Sequence, residues 1–296
     1  MLFFLFCFIG KIKVIDEIRE GCTTTIWKAY LHRRKITPEI ENLAFSILYD
    51  DDHIAVLNKK SGLLVAADRY DPEAPRLDSL ASEELGKLWA VHRIDKDTSG
   101  IVLYAKNAEA HRILSMAFQN REVAKTYHAL VYGRPLWDHI MVDSPLQVDG
   151  DARHRTIVSK KFGKSSETYF KLIGVCGPYS WIEASPVSGR THQIRVHLTD
   201  CGLSIVCDPL YGGNQKPIRL SEIKRSWRGD VFEERPLLDR LALHAYKIEF
   251  NHPATDERVS ITAPYKKDLE SVRKQFSKLF KVNPLNGTDE EDGEEE

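Results

Sequence analysis

The densest run of groups able to do chemistry is His92-Arg93-Ile94-Asp95-Lys96-Asp97-Thr98-Ser99-Gly100. It lies between an apolar helix end and the run Ile101 to Ala105, so its charged side chains sit at the edge of a core. Thr98, Ser99 and Gly100 can close a tight, self-hydrogen-bonded turn that holds the Asp95 carboxylate in one orientation. A surface turn with a local ion pair is the competing reading. A second cluster, Ser188 to His197, reads SGRTHQIRVH and is equally rich in donors. His192 and His197 are five apart with no cysteine or acid in ligand spacing, which argues against a metal. A guanidinium pairs bidentately with a carboxylate and keeps it ionised, as a nucleophile requires. That couples Arg195 to Asp95.

The elements that must position these clusters are strands more than helices. Phe45 to Tyr49 and His53 to Asn58 read as β-rich runs broken by Asp50-Asp51-Asp52 and followed by a Ser61-Gly62 turn. Leu77, Leu80, Ala81 and Leu85 recur at helical spacing, as do Ala110, Ile113, Leu114, Ala117 and Phe118. Further strands are predicted at Ile101 to Ala105, KTYHALVYG, TYFKLIGV, YSWIEASPV, ALHAYKIEF and RVSITAP. No regular βαβ alternation is present. The expected fold class is therefore α+β, with a mixed, mostly antiparallel sheet and flanking helices.

The chain of 296 residues has material for one large domain or two small ones. The last eleven residues hold seven carboxylates and no base, so a formal net charge of −1 leaves the remainder at +6. A mildly basic body suits a polyanionic partner, although a solvated surface has the same composition. Five cysteines form no CxxC pair, and a reducing cytoplasm is the simplest setting. The opening MLFFLFCFIG is too short to span a bilayer and lacks the marks of a signal peptide, so no membrane is expected. Residues 1–40 read as an appendage without a motif, 41–275 as the catalytic body, and 276–296 as a disordered acidic tail.

HRIDKDTSG, KTYHALVYG, GRTHQIRVH, DPLYGG and LHAYKIEFNHP occur in the order, and with roughly the spacing, of the RluA-type RNA pseudouridine synthases. The chain resembles that family from about Ile47 to about Pro264. The resemblance implies the pseudouridine synthase fold with a cleft across its middle and an isomerase that needs no cofactor, acting on structured ribosomal or transfer RNA; no metal is expected, and a monomer is expected. The family aspartate falls on Asp95, which would attack the target nucleoside before the uracil rotates and rejoins through C5.

By the same motif matching, Arg93 resembles the arginine that takes the place of the flipped uridine in the helix stack. Tyr127 resembles the tyrosine that packs on the uracil face and assists proton removal at C5. Arg195 resembles the arginine that pairs with the carboxylate. His92, Arg190, His192 and Gln193 would shape the cleft and meet RNA. Lys125, Arg153, His154, Arg155, Lys160, Lys161 and Lys164 form a loosely basic stretch that could face phosphates or simply solvent. Ile94, where leucine is commoner, and Cys207, where glycine is usual, are the departures. Two competing functions are an RNA-binding module without catalysis and a glycoside or nucleoside hydrolase. In the hydrolase, Glu183 or Asp97 would be the acid beside Asp95.

Overall fold

In a computed structural model of the chain, residues 44–67, 74–213 and 216–286 are described. The expected appendage at 1–40 and the end of the acidic tail lie outside the described residues. Thirteen strands follow one another: β1 (Phe45–Asp50), β2 (Ile54–Lys59), β3 (Trp89–Ala90), β4 (Ser99–Ala105), β5 (Ala124–Tyr132), β6 (His139–Asp143), β7 (Leu146–Gln147), β8 (Ile157–Val158), β9 (Glu167–Cys176), β10 (Tyr179–Pro186), β11 (Ser204–Ile205), β12 (Leu243–Asn251) and β13 (Arg258–Thr262). Helices α1 (Leu77–Leu85), α2 (Ala108–Gln119), α3 (Gln193–Asp200), α4 (Leu220–Ile223) and α5 (Lys267–Phe280) are set between and after them.

Eleven strands make one sheet in the order β1-β2-β4-β12-β5-β10-β9-β6, with β3, β11 and β13 paired at its sides. Every pairing in it is antiparallel except that of β4 with β12. That junction is tight. Gly100 has φ +112, and a Cβ there would stand 2.2 Å from the carbonyl oxygen of Ala245, so only glycine lets the two strands meet. The fold is the expected mixed, mostly antiparallel α+β sheet.

Two apolar clusters lie along the sheet. One gathers Leu130, Trp181, Leu198, Leu269 and Phe276; the other gathers Leu57, Leu77, Leu103, Leu114 and Phe250. Every residue of β2 and β4 is buried, which is why these strands read as continuous apolar runs and do not alternate. Tyr127 packs against both clusters and so marks their seam. The boundary expected at 275 falls inside α5. Leu269, Val272 and Phe276 of that helix are completely buried, each contributing about 1.5–3 kcal/mol. The packed body therefore continues at least to Phe280.

Candidate active site

At the seam, strands β5 and β10, the start of α3 and the β3–β4 loop enclose a cavity of about 550 Å³. Asp95 stands in it, on the loop leading into β4, with its side chain 23 % exposed. The loop is closed by a turn over Lys96 and Asp97, in which Thr98 N–H donates to the carbonyl of Asp95 at 3.2 Å; the expected turn at Thr98-Ser99-Gly100 is not formed, because Ser99 and Gly100 already pair as the start of β4. It is also tied from below. The Lys59 ammonium, completely buried, donates to the carbonyls of Leu63 and Lys96, both at 2.8 Å, and of Lys60 at 3.0 Å. Burial pulls Lys59 down to about 7, against the pull of Asp97 and Asp95. Its three carbonyl partners match the three N–H groups of the charged form.

Arg195 reaches Asp95 from the first turn of α3. Its Nη1 lies 3.4 Å from Asp95 Oδ2, a long bond. The closer partner is Asp208: Arg195 Nε donates to Oδ2 at 2.8 Å and Nη2 to Oδ1 at 2.7 Å. Both side chains of this pair are nearly inaccessible. Burial opposes ionisation of Asp208. The Arg195 guanidinium and the N–H groups of Leu210 and Tyr211 outweigh it and hold the carboxyl below its usual range. The Tyr211 ring lies under the guanidinium, 5.1 Å from it. Its hydroxyl meets His192 Nδ1 at 3.0 Å.

The other residues singled out from sequence divide into two groups. Arg93 and Tyr127 line the cavity, and Arg93 is exposed with no side-chain partner among the described residues. Burial and the Asp95 charge raise the Tyr127 phenol, which therefore stays protonated at neutral pH. His192 stands 3.9 Å from Asp95 Oδ2, and burial lowers its pKa. Arg190 lines the cavity and sends Nε to the carbonyl of Ser165 at 3.4 Å.

His92 and Gln193 also line the cavity, but the side-chain amide of Gln193 and Nε2 of His92 are committed to the scaffold. His92 Nε2 accepts the N–H of Leu103 at 2.8 Å, the ring stacks on Phe118, and burial lowers it to about 3. Gln193 accepts from Ser188 Oγ and Arg190 N–H and donates to Glu167 O and Thr168 Oγ1. His197 is fully buried against Thr168 and Ser144, away from His192. Among the described residues no group of three His, Cys, Asp or Glu is placed to hold a metal ion.

Four site residues escaped the sequence reading. Asp208 and Tyr211 belong to DPLYGG, where only the motif was visible. Lys59 precedes the Ser61-Gly62 turn. Arg121 lines the cavity from a left-handed position just past α2 (φ 64), where glycine or asparagine is the usual choice. Glu183, the alternative acid, faces away. It pairs with His128 while its neighbour Ala184 pairs with Tyr127, so it lies on the opposite face of the sheet from the Tyr127 side chain.

At the seam of this mixed sheet a buried arginine and a partly exposed carboxylate face a cationic cavity. The model of the family "RNA pseudouridylate synthase" matches residues 53–200. Ribosomal large subunit pseudouridine synthase C of Vibrio parahaemolyticus is 37% identical over 236 residues, covering 79% of this chain and 70% of that protein. Ribosomal large subunit pseudouridine synthase D of Neisseria meningitidis is 33% identical over 248 residues, covering 79% and 63%. The solved structure of human RNA Pseudouridylate Synthase Domain Containing 4 shares the fold, with a TM-score of 0.59 at 21% identity over 78% of this chain and 92% of that one. The chain belongs to the RNA pseudouridine synthase family, in its RluA-type branch. Among the described residues, no helix is long and apolar enough to cross a membrane.

Proposed function

We propose that the protein converts specific uridines of large-subunit ribosomal RNA to pseudouridine, with Asp95 as the nucleophile acting on a flipped-out nucleotide. The observation that carries this reading is the placement of Asp95: a partly exposed carboxylate in a cationic cavity, near enough to Tyr127 to raise its phenol and, among the described residues, hydrogen-bonded only through one long bond from Arg195. The ribosomal target rests on the names of the relatives. The flipped base would lie against the Tyr127 ring. Arg93, exposed at the mouth, would enter the stack that the base has left. Asp95 attacks C1′ as the N1–C1′ bond breaks and uracil leaves as an anion; the uracil turns within the cavity, C5 attacks C1′ and displaces the Asp95 carboxylate, and C5 then loses its proton while N1 gains one. A protonated Tyr127 supplies a surface and an O–H donor.

The test is tritium release from RNA labelled at uracil C5, using ribosomal RNA from cells lacking the gene, with wild type and Asp95→Asn compared. Release by the wild type alone supports the reading, and mapping the product names the uridine. Equal release by both proteins removes Asp95 from the chemistry. Free uracil among the products would instead support the hydrolase.

A further inference from the structure

Arg195 serves two carboxylates unequally. Its Nε and Nη2 edge is held by Asp208 at 2.8 and 2.7 Å, and Nη1 alone, at 3.4 Å, is left for Asp95. Two parallel charge-assisted bonds are the strongest arrangement a guanidinium makes. Asp208 is itself fixed. It is 1 % exposed, and its Oδ1 also accepts the N–H groups of Leu210 at 2.9 Å and Tyr211 at 3.1 Å. With the Tyr211 ring on its face, the guanidinium is held on an edge and a side and cannot turn toward Asp95.

We propose that Asp208 is a positioning residue of the reaction: by taking two bonds of Arg195 it leaves the Asp95 carboxylate beside a fixed cation yet unclamped, free to attack. The inference rests on Asp95 being the nucleophile. Two physical consequences support it. A bidentate clamp on Asp95 would immobilise both oxygens and withdraw charge from the one that must form a bond. Further, the attack converts the Asp95 carboxylate into a neutral bonded oxygen while the negative charge passes to the uracil. Without Asp208, Arg195 would then be a buried cation lacking its counter-ion, a costly state. With Asp208 in place, the arginine is neutralised throughout.

The experiment measures kcat and KM by tritium release for the wild type, Asp95→Asn, Asp208→Asn, Asp208→Glu, Arg195→Met and the Arg195→Met/Asp208→Asn double variant. Each is assayed where its melting curve shows it folded. Asp208→Asn should lose roughly 100-fold in kcat with KM nearly unchanged, as for a misplaced catalytic group, and Asp208→Glu should recover part of the loss. Because Asp208 acts through Arg195, adding Asp208→Asn to Arg195→Met should cost nothing more in kcat. Should Asp208→Asn not fold, Asp208→Glu carries the same test, with kcat reduced and KM kept. A kcat within about threefold of wild type, or losses that multiply in the double variant, overturns the proposal. Asp95→Asn separates the two claims. If it is inactive while Asp208→Asn is not, only the role of Asp208 fails; if it is active, the nucleophile assignment fails and the inference with it.

Discussion

The ammonium of Lys59, at the end of β2, lies 2.8 Å from the carbonyl oxygen of Lys96, the residue that follows Asp95. A fully buried cation with three carbonyl acceptors joins the Ser61-Gly62 turn to the loop that carries the carboxylate. Gly62 N–H also donates to Lys96 O at 2.8 Å, and Ser61 Oγ to Asp97 O at 2.6 Å. The position of Asp95 is thus set from β2 as well as from its own turn.

Lys59→Met keeps the apolar stem and removes the three donors. Lys96 O keeps the Gly62 N–H, but the carbonyls of Lys60 and Leu63 lose that donor, which destabilises the fold by about 1–3 kcal/mol. We expect that loss in urea unfolding. We also expect a kcat lower than wild type below the unfolding transition, because the loop loses its anchor. Unchanged kcat would mean that the turn at Thr98 holds Asp95 by itself.

Gly100→Ala tests the junction of the two halves. The added carbon would meet the carbonyl oxygen of Ala245 at 2.2 Å and its nitrogen at 2.6 Å, at a φ of +112. The β4–β12 contact must then open, with an expected loss of about 4 kcal/mol or more. Gly62→Ala is the control. It shares a positive φ of +85 but has nothing within 4 Å of the added carbon, so only backbone strain of about 1 kcal/mol is expected. Urea midpoints of the two variants separate clash from strain.

These two glycines show what the sequence conveys and what it withholds. Gly62 was legible as a turn because Ser-Gly signals one locally. Gly100 read as part of a turn as well, although it is the first close approach of a parallel pair whose partner lies far along the chain. Asp95 and Arg195 stood out because each sits in a dense polar run. Asp208 did not, since its pairing with Arg195 depends on how the chain returns after α3. His92 and Gln193 looked like RNA ligands for the same local reason, but backbone and side-chain partners that no motif records hold the Gln193 amide and His92 Nε2 to the scaffold. The spacing of Leu269, Val272 and Phe276 is helical, yet the expected boundary at 275 cuts α5, because the polar residues between them and the acidic run that follows make the segment look like tail.

The Arg195–Asp208 pair also gives stability a pH dependence of known sign. The Asp208 carboxyl is depressed in the fold relative to the unfolded chain. Its contribution is therefore full above the unfolded value of about 4 and is lost as pH falls through the folded one. Asp208→Asn should be less stable than wild type at pH 7, and the gap should narrow progressively as pH drops below about 4. Urea unfolding of both proteins from pH 7 to pH 3 checks this. A gap independent of pH would show that the carboxylate charge contributes nothing.

Lys125 lies two residues before Tyr127 on β5, so its side chain shares the Tyr127 face about 7 Å further along the strand. It lines the same cavity, and its ammonium has one long bond, 3.4 Å to Ser188 O. Burial lowers Lys125 to about 8. A neutral His92 lies near it, Arg93, Arg121 and Asp95 line the same cavity, and no carboxylate is paired with Lys125 among the described residues. A desolvated cation without a counter-ion gains most from a phosphate, and RNA binding should pull its proton uptake upward. Lys125→Met should weaken RNA binding with little effect on folding, and lower the salt slope of log affinity by about one unit. For the sign with pH, the Lys125 charge is present below about 8 and lost above it. Wild-type affinity should therefore fall between pH 7 and pH 9 by more than that of Lys125→Met. Filter binding of ribosomal RNA at several salt concentrations and both pH values decides it: equal slopes for the two proteins would place the phosphate contacts on the cavity arginines Arg93, Arg121 and Arg190 instead.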